Sequence, residues 1–361
     1  MNKLLSSEQI KAEATRLGFS ACGLAAAEAV NETVATSFRQ WLADGCQAEM
    51  AYMQNYEDKR LDPRLLVEGA RTVISVALNY YPETKLPIEE YQIAWYAYGK
   101  DYHDVMKEKL NALLEFIKEK YANCNTPLEV IASPTLEIIP SSGSEITSPT
   151  IPEMFSSTSS EIIPPATSPL TVSGRIFCDT APILERYWAW RAGLGWIGKN
   201  TQLIIPHAGS CFFLGEVIIN IAADNYDIPQ KSRCGSCTRC IDACPTKALE
   251  APFRLNSERC LSYLTIEYRG DLSPNMGQKM NKKIYGCDEC QHACPWNRYS
   301  TPCKTEEFRP SPSLLQMKKS DWQSLTEEQY KTLFKGSAVK RVKYSGLMRN
   351  IRIVNESPES K

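Results

Sequence analysis

The stretches that decide the fold read CGSCTRCIDACP, at residues 234–245, and GCDECQHACP, at residues 286–295. Cysteines two residues apart on a tight loop suit three corners of an iron–sulfur cubane, and the cysteine four positions further on suits a second cubane. In two-cluster ferredoxins this last cysteine of each run crosses over to the other cluster. The two stretches therefore predict a pair of [4Fe-4S] clusters and one-electron transfer.

The crossing-over divides eight cysteines into two ligand sets. The first set is Cys234, Cys237, Cys240 and Cys294. The second set is Cys244, Cys260, Cys287 and Cys290, in which Cys260 replaces the first cysteine of the second run. The other cysteines have no such spacing and are predicted to be buried or incidental thiols: Cys22, Cys46, Cys124, Cys178, Cys211 and Cys303.

Two zinc sites are the structural alternative, because paired CxxC units also suit tetrahedral zinc. The successive three-residue spacing and the proline that ends both runs favour iron–sulfur clusters. The chain has only three histidines, and His292 lies between ligands at no usual zinc spacing. We therefore expect iron rather than zinc.

The 361 residues have an ordinary globular composition, with 43% hydrophobic and 23% charged residues. The net charge of −1 predicts no general attraction to nucleic acid or membrane, so a polyanion must bind a local patch. We identify no apolar run typical of a signal peptide or a membrane span. The 14 cysteines are therefore expected to be reduced thiols or metal ligands, in a cytoplasmic protein without membrane contacts.

The rest of the sequence alternates helical and extended patterns, which predicts a mixed fold of the α/β or α+β class. Before residue 125, helices are predicted from Ser6 or Ser7, over Phe38 to Met53 and over 99–122, and strands over 19–25 and 71–81. After residue 172, strands are predicted over 174–180, 201–206 and 211–222, and a helix over 181–193.

Residues 125–172 differ from the rest, since proline, serine and threonine dominate and near-repeats such as SEITSPTIPE and SEIIPPATSP occur. We interpret them as a low-complexity insertion in a surface loop, with a set of short strands as the alternative. The predicted domains are a catalytic α/β domain at 1–224, a two-cluster ferredoxin-like domain at 225–310 and a basic helical tail at 311–361.

Gly193, Gly195 and Gly198 spell the GxGxxG pattern of dinucleotide-binding sites. That fingerprint needs a strand before it and a helix after it. Here a predicted helix precedes the glycines and a predicted strand follows them. We therefore reject a nicotinamide or flavin site at this turn.

Four further stretches carry a resemblance to a known family: DKRLDP (58–63), YGKDYHDV (98–105), CDTAPILERYWAWRAGLGWIGKN (178–200) and CLSYLTIEYRG (260–270). With the cysteine pattern, the chain from about residue 5 to 355 resembles the cobalamin-dependent epoxyqueuosine reductases, except in the insertion. The resemblance implies a cobalamin-binding domain followed by the two-cluster domain. It also implies an oxidoreductase that reduces epoxyqueuosine to queuosine at the wobble position of tRNA, the last step of queuosine biosynthesis.

The resemblance places the family's catalytic acid at Asp179, in the sequence CDTA. From the residues alone, an N-cap role at the start of the following helix is favoured instead. Reduction of an epoxide needs an acid to protonate the departing oxygen, because alkoxide and hydroxide leave poorly. We therefore expect burial to raise the pKa of the Asp179 carboxyl, so that it stays protonated.

Cobalamin contacts are also implied by the resemblance, at Arg60, Asp179, Leu203, Leu214, Ser257 and Asp288. The leucines offer only packing or backbone contacts, so a core role is their alternative, and a surface ion pair is the alternative for Arg60. Some relatives have a cysteine five residues before the glycine of the GKDYH motif, where this chain has Ala94. Any role of that thiol does not apply here.

Local basic residues are the candidates for tRNA contact. Those between Cys260 and Cys287 are Arg269, Lys279, Lys282 and Lys283. A second group lies in a stretch of the tail without acidic residues: Lys331, Lys335, Lys340, Arg341, Lys343, Arg349 and Arg352. A phosphate-binding stripe and a solvated helix face are equally good interpretations of these groups. The expected partners are tRNA and an external electron donor that the sequence does not identify, and the expected state is a monomer.

Two rival functions stay open from the sequence. The related reductive dehalogenases share cobalamin and the same pair of clusters, but their respiratory members carry a twin-arginine signal that this sequence lacks. A non-catalytic electron carrier would need the clusters only, and the large α/β region argues against it.

Overall fold

The computed structural model describes residues 4–121 and 171–357. The predicted insertion lies outside the described residues, except for its last two positions. The helices are α1 Ser7–Arg16, α2 Glu32–Ala43, α3 Glu57–Leu61, α4 Tyr102–Tyr121, α5 Glu185–Arg191, α6 Arg239–Asp242, α7 Leu261–Ile266, α8 Met276–Met280, α9 Glu289–His292, α10 Pro312–Gln316, α11 Lys319–Gln323, α12 Glu327–Leu333 and α13 Lys343–Asn355. The strands are β1 Ala21–Ala26, β2 Thr72–Asn79, β3 Gln92–Ile93, β4 Gly174–Phe177, β5 Trp196–Ile197, β6 Leu203–Ile204, β7 Phe212–Ile219, β8 Leu249–Ala251, β9 Arg254–Leu255 and β10 Lys283–Tyr285.

The central sheet has the strand order β1-β2-β7-β4, and its neighbouring strands are antiparallel. β2 and β7 pair along their full lengths, from Thr72 opposite Ile219 to Asn79 opposite Phe212. An antiparallel sheet with helices packed on it belongs to the α+β side of the predicted fold class, and that class is confirmed.

Both faces of the sheet are covered, because successive residues of a strand point to opposite faces. On one face, Ile74 and Val217 share a buried core with side chains of α1 and α4. On the other face, Val73 and Ile218 share a second core with side chains of α2 and α5. The second face carries the functional residues described below.

The predicted start of α1 is confirmed, since the Ser6 side chain caps it by accepting a hydrogen bond from the Gln9 N–H. The helix predicted over Phe38 to Met53 is wrong in its bounds. α2 begins earlier because Asn31 caps it, and it ends at Ala43 because Gly45 adopts a left-handed φ of +69° that stops the helix. A new short helical turn, not a continuation, follows at Ala51–Met53.

The glycine-rich turn follows α5 and runs into the β5–β6 hairpin, with Gly198 in the hairpin loop, so no helix follows it, as predicted. Gly195 is needed for packing: a Cβ there would lie 2.1 Å from the Ile204 carbonyl oxygen. Gly193 has a φ of +74°, a conformation that favours glycine. The pattern is therefore a close-packed corner, not a phosphate-binding loop.

The cysteine-rich segment folds as short turns rather than as long elements. α6 carries Cys240, α9 carries Cys290, and these two four-residue helices lie against each other. The small β8–β9 hairpin follows the first cysteine run. Residues on short turns around metal need no long periodic core.

The tail does not pack by itself. Its helices share a buried core with residues from before the insertion, among them Tyr91 and Tyr98, and with Tyr285 next to the second cysteine run. β10 also pairs in parallel with β3. The three-part division, with boundaries at residues 224 and 310 and a helical tail, therefore stays a prediction; α10 to α13 lie in the tail segment. Within the part of the chain that the structure describes, no helix is long and apolar enough to cross a membrane.

Candidate active site and cluster ligands

Asp179 lies in the turn that leaves β4 and approaches α5. It does not cap that helix, because α5 begins at Glu185 with Leu184 as its N-cap residue. Its backbone has a φ of +57°, which is uncommon for a residue with a side chain. The Asp179 N–H donates a hydrogen bond to the Glu185 carboxyl group, which holds the turn in this conformation. The Asp179 side chain is 56% exposed, so it is open to a ligand.

Two side chains from the start of α4 hold the Asp179 carboxylate. The Tyr102 hydroxyl donates to Oδ2 at 2.5 Å, and His103 Nε2 lies 3.2 Å from the same oxygen. His103 Nδ1 lies 2.7 Å from Asp101 Oδ1. The imidazole therefore lies between two carboxylates, one of them the candidate acid.

In this arrangement the proton lies on His103 and not on Asp179, where the sequence placed it. Hydrogen bonds to Asp101 and then Asp179 raise the pKa of His103 to about 9. Desolvation raises the pKa of Asp179, but the hydrogen bonds from His103 and Tyr102 outweigh it and leave the pKa below its ordinary value. The expectation of a raised Asp179 pKa is therefore wrong for this structure. At neutral pH Asp179 is a carboxylate and His103 beside it carries the proton.

A pair of carboxyl groups, those of Glu185 and Glu216, lies beneath this turn. Glu216, in the middle of β7, is fully buried, and its Oε1 lies 3.5 Å from the Ser75 hydroxyl. Its Oε2 has no hydrogen-bond partner among the described residues. Burial, followed by the charge of Glu185, raises the pKa of Glu216 well above its ordinary value. Burial and the charge of Asp179 raise the pKa of Glu185 to about 8.

Arg60 lies near the same site. Its side chain is buried, one guanidinium N–H donates to the Tyr52 carbonyl at 3.2 Å, and Nε has no partner within the described residues. A surface ion pair is therefore not its role in this structure. The phenol of Tyr52 lies within electrostatic range of Arg60, Asp179 and Arg341. A buried guanidinium with an unsatisfied N–H can donate a hydrogen bond to an acceptor atom of a large polar cofactor.

The other predicted cobalamin contacts lie in two places. Leu203 on β6 and Leu214 on β7 belong to the core on the α5 face of the sheet. Ser257 donates its N–H to the Cys46 carbonyl, and buried Asp288 accepts the Trp95 N–H at 2.8 Å. The leucines thus lie on the face that carries Glu216, whereas the other two lie beside the cysteine runs. Their contact with cobalamin stays a prediction.

The first predicted ligand set lies around one cavity. Its lining includes Cys234, Cys237, Cys240 and Cys294, together with Lys199, Asn200 and Trp296. The chain thus brings a cysteine from the second run to the three of the first run, as a crossed ligand requires. Cys234 and Cys237 are only partly buried, so this cavity lies near the protein surface.

The cysteines of the second set are also partly buried, and they lie close to one another. Burial, and then the charges of Cys287 and Cys260, raise the pKa of the Cys290 thiol, so these three sulfurs are neighbours. Cys244 in turn lies within electrostatic range of Cys260. Nowhere in 4–121 or 171–357 do three His, Cys, Asp or Glu side chains converge closely enough for a single metal ion.

The β5–β6 hairpin connects these sites. Lys199 Nζ donates to the carbonyls of Gly235 and Cys237, at 2.7 and 3.0 Å. Asn200 donates to the Cys290 carbonyl at 3.2 Å. Arg186 on α5 lies within electrostatic range of both Asp179 and Cys290. The second set is therefore the one adjacent to the candidate acid, and the first set is the outer one.

The predicted tRNA contacts have partners inside the protein. Arg269 donates to the carbonyls of Ile266, Val342 and Arg341, and Lys283 pairs with Glu289 at 2.8 Å. Lys282 donates to the Ile88 carbonyl at 3.2 Å. In the tail, Arg349 is buried and donates to three carbonyls of the segment after Cys260. Phosphate binding by these side chains stays a prediction.

The sequence reasoning gave no role to Tyr102, His103, Glu185 and Glu216. The first two lie in the quoted GKDYHDV motif, but 76 or more residues separate them from Asp179. Glu216 had a readable signal, because it is the one charged residue in the apolar stretch CFFLGEVIINIA. A carboxyl in the middle of a buried strand costs free energy unless it is paired, so such a residue is a candidate for function.

Comparison with known families agrees with this arrangement. A family described as 4Fe-4S double cluster binding domain matches residues 233–297. The matched residues contain all eight predicted ligand cysteines. A second family, described as Epoxyqueuosine reductase QueG, DUF1730, matches residues 60–130. The zinc alternative is therefore wrong, and the chain binds two [4Fe-4S] clusters.

Curated proteins resemble the chain over nearly its full length. The epoxyqueuosine reductase of Cellulophaga algicola is 41% identical over 345 residues, which are 96% of this chain and 96% of that protein. The epoxyqueuosine reductase of Leadbetterella byssophila is 41% identical over 350 residues, covering 97% and 98% of the two chains.

Solved structures agree with these relatives. A crystal structure of epoxyqueuosine reductase with an epoxyqueuosine-modified tRNA-Tyr stem loop matches with a TM-score of 0.76 at 26% identity, over 96% of this chain and 80% of that chain. The Bacillus subtilis epoxyqueuosine reductase, with its catalytic aspartate loop swung out of the active site, matches with a TM-score of 0.75 at 25% identity, over the same shares. The chain belongs to the epoxyqueuosine reductase family.

Proposed function

We propose that this protein reduces epoxyqueuosine to queuosine at the wobble position of tRNA, with Asp179 as the acid that protonates the epoxide oxygen. The observation that carries the proposal is the position of Asp179. Its side chain is open to a ligand and is held by Tyr102 and His103, and Arg186 lies within electrostatic range of both Asp179 and Cys290 of the inner set. A proton donor beside an electron source is what reduction of an epoxide needs.

The substrate follows from the family. A relative of the same fold binds an epoxyqueuosine-modified tRNA stem loop, and the curated relatives carry the name of this activity. These similarities support a tRNA substrate for this chain. They also support a cytoplasmic location, and we keep the three-part division of the chain and the monomeric state as parts of the proposal.

The chemistry requires two electrons and two protons. The epoxide loses its oxygen, a carbon–carbon double bond forms, and the oxygen leaves as water. Asp179 is a carboxylate in the ligand-free site, so it cannot start as the donor by itself. His103 is protonated at neutral pH and hydrogen-bonded to Asp179 Oδ2. Its proton can therefore pass through the Asp179 carboxyl group to the epoxide oxygen.

The residues present fit a cobalamin beside Asp179. Arg60 offers a buried N–H without a partner, and Leu203 and Leu214 lie on the same face of the sheet as the carboxyl pair. Cobalamin supplies a cobalt centre that converts single-electron transfers into a two-electron reduction. Arg60 and the leucines would hold it, while Tyr102 and His103 orient the acid.

Conversion of the substrate tests the proposal. Protein reconstituted anaerobically with iron, sulfide and cobalamin, then reduced chemically, should convert epoxyqueuosine in tRNA to queuosine, as measured by mass spectrometry of the nucleosides. Asp179→Asn should lower the rate by about a hundredfold or more and leave the cluster absorption unchanged. Asp104→Asn is the matched control, since Asp104 is exposed on the same helix as Tyr102. An Asp179→Asn protein with the rate of the control would contradict the role of the acid.

A further inference from the structure

The surface over the outer cysteine set is basic, although the whole chain has a net charge of −1. Residues 228–247 contain four lysines or arginines and one aspartate. Lys231, Arg233 and Arg239 are exposed, and in the part of the chain that the structure describes they form no ion pair. Asp227 beside them is already neutralised by Lys11 at 2.6 Å.

Apolar side chains are exposed next to these charges. Ile228 is 84% exposed and Phe253 is 53% exposed. The Phe253 N–H donates to the Lys199 carbonyl, and Lys199 in turn binds the carbonyls of the Cys234–Cys237 loop. Ile228 lies three residues before Lys231. Exposed apolar side chains and basic side chains without ion pairs therefore occur together in the segments around the outer cysteine set, a composition typical of a transient docking surface.

The position of this surface separates it from the substrate site. Asp179 lies before the N-terminal end of α5, whereas the segment that carries Ile228 contacts the other end. Trp190 Nε1 donates to the Gln230 carbonyl, and the Gln230 side chain donates to the Gly193 carbonyl at 2.9 Å. The inner cysteine set is the one near Asp179. A molecule on this surface would thus face the outer cluster, not the acid.

We propose that the surface formed by Ile228, Lys231, Arg233, Arg239 and Phe253 docks a small acidic protein that carries one electron at a time on a flavin or an iron–sulfur centre. The carrier is oxidised by one electron, the outer [4Fe-4S] cluster is reduced by one, and the electron passes to the inner cluster near Asp179. The inference rests on the proposed function, because that reaction consumes electrons that must come from outside the chain. An acidic partner matches the basic rim, and the partly buried Cys234 and Cys237 bring the cluster close to it.

Stopped-flow reduction of the reconstituted clusters tests this surface without tRNA. The probe is a purified acidic flavodoxin in its reduced form, and the variant combines Lys231→Glu, Arg233→Glu and Arg239→Glu. At low salt the variant should be reduced about tenfold or more slowly than the unsubstituted protein. The difference should shrink at about 1 M salt, where the Debye length is roughly 3 Å. Calorimetric binding of the oxidised flavodoxin should weaken in parallel.

Two controls keep the outcomes distinct. Lys107→Glu, Lys304→Glu and Lys318→Glu together change the net charge equally at exposed positions elsewhere and should leave the rate unchanged. Photoreduced deazaflavin, a small uncharged reductant, should reduce all the proteins equally fast.

A variant slowed equally with deazaflavin would show that the charges act on the cluster itself and would overturn the proposal. So would unchanged reduction by flavodoxin with a loss of tRNA binding, which would make the surface an RNA site. Normal reduction by flavodoxin without conversion of epoxyqueuosine would contradict the proposed function alone.

Discussion

Asp179 illustrates how a residue with an ordinary intrinsic acidity is given a function by its neighbours. Its turn is held by Glu185, and its carboxylate accepts hydrogen bonds from Tyr102 and His103. These bonds stabilise the charged form, so the proton is stored on His103 instead. The sequence identified Asp179 through a motif, but it could not give the protonation state. That state depends on groups that only the folded chain brings together.

The buried carboxyl of Glu216 makes the stability of the protein depend on pH. Its pKa is raised in the folded protein, so the folded chain holds this proton at pH values where the unfolded chain has lost it. The contribution of Glu216 to stability is therefore fully present below about pH 4.5 and is lost as the pH rises through the raised pKa. Glu216→Gln removes this titration. We expect its apparent Tm to fall less between pH 5 and pH 8 than that of the unsubstituted protein, with a gain of about 1–3 kcal/mol at pH 8.

Scanning fluorimetry at several pH values measures this difference. Glu119→Gln, at an exposed position of α4, is the matched control and should keep the pH dependence of the unsubstituted protein. An unchanged pH dependence in Glu216→Gln would mean that Glu216 is ionised in the folded state, contrary to our account.

At the scale of the elements, the β5–β6 hairpin shows what the sequence pattern could and could not reveal. The order of helix, glycine turn and strand was sufficient to reject a dinucleotide site. The pattern did not show that this hairpin directs Lys199 to the outer cysteine loop and Asn200 to the inner one. Those contacts join residues about 36 and 90 positions apart, whereas periodicity reports only local structure. The same limit explains the misplaced bounds of α2.

Gly195→Ala tests the packing of this hairpin. The added methyl group would lie 2.1 Å from the backbone carbonyl of Ile204, so the hairpin must shift. We expect a loss of about 2–4 kcal/mol in stability and a lower yield of reconstituted clusters. Circular dichroism melts and iron analysis measure the two effects.

Gly45→Ala is the control for this change. Its Cβ meets no atom within 4 Å, and only the left-handed φ of +69° opposes it, so the loss should stay near 1–2 kcal/mol. A Gly195→Ala protein as stable as Gly45→Ala would contradict the close approach.

At the scale of the whole molecule, the clusters and the tail form a structure that the linear division into domains did not anticipate. Asn350 in α13 is fully buried and donates to the carbonyls of Thr265 and Ile284, which lie in the segment between the cysteine runs. Residues before the insertion pack into the same core. The cysteine spacing was sufficient to predict both clusters, because ligand spacing is a local property. The mutual packing of distant segments was not readable from composition or spacing.

We expect two [4Fe-4S] clusters on crossed ligand sets to deliver electrons to the site of Asp179. Iron and sulfide analysis, with electron paramagnetic resonance of the anaerobically reconstituted protein, measures whether both clusters are present. We predict about eight iron and eight sulfide per chain, falling to about four in Cys294→Ser, which lacks one ligand of the outer cluster, and unchanged in the control Cys303→Ser. A content of about four iron in the unsubstituted protein, or tightly bound zinc in place of iron, would contradict the account.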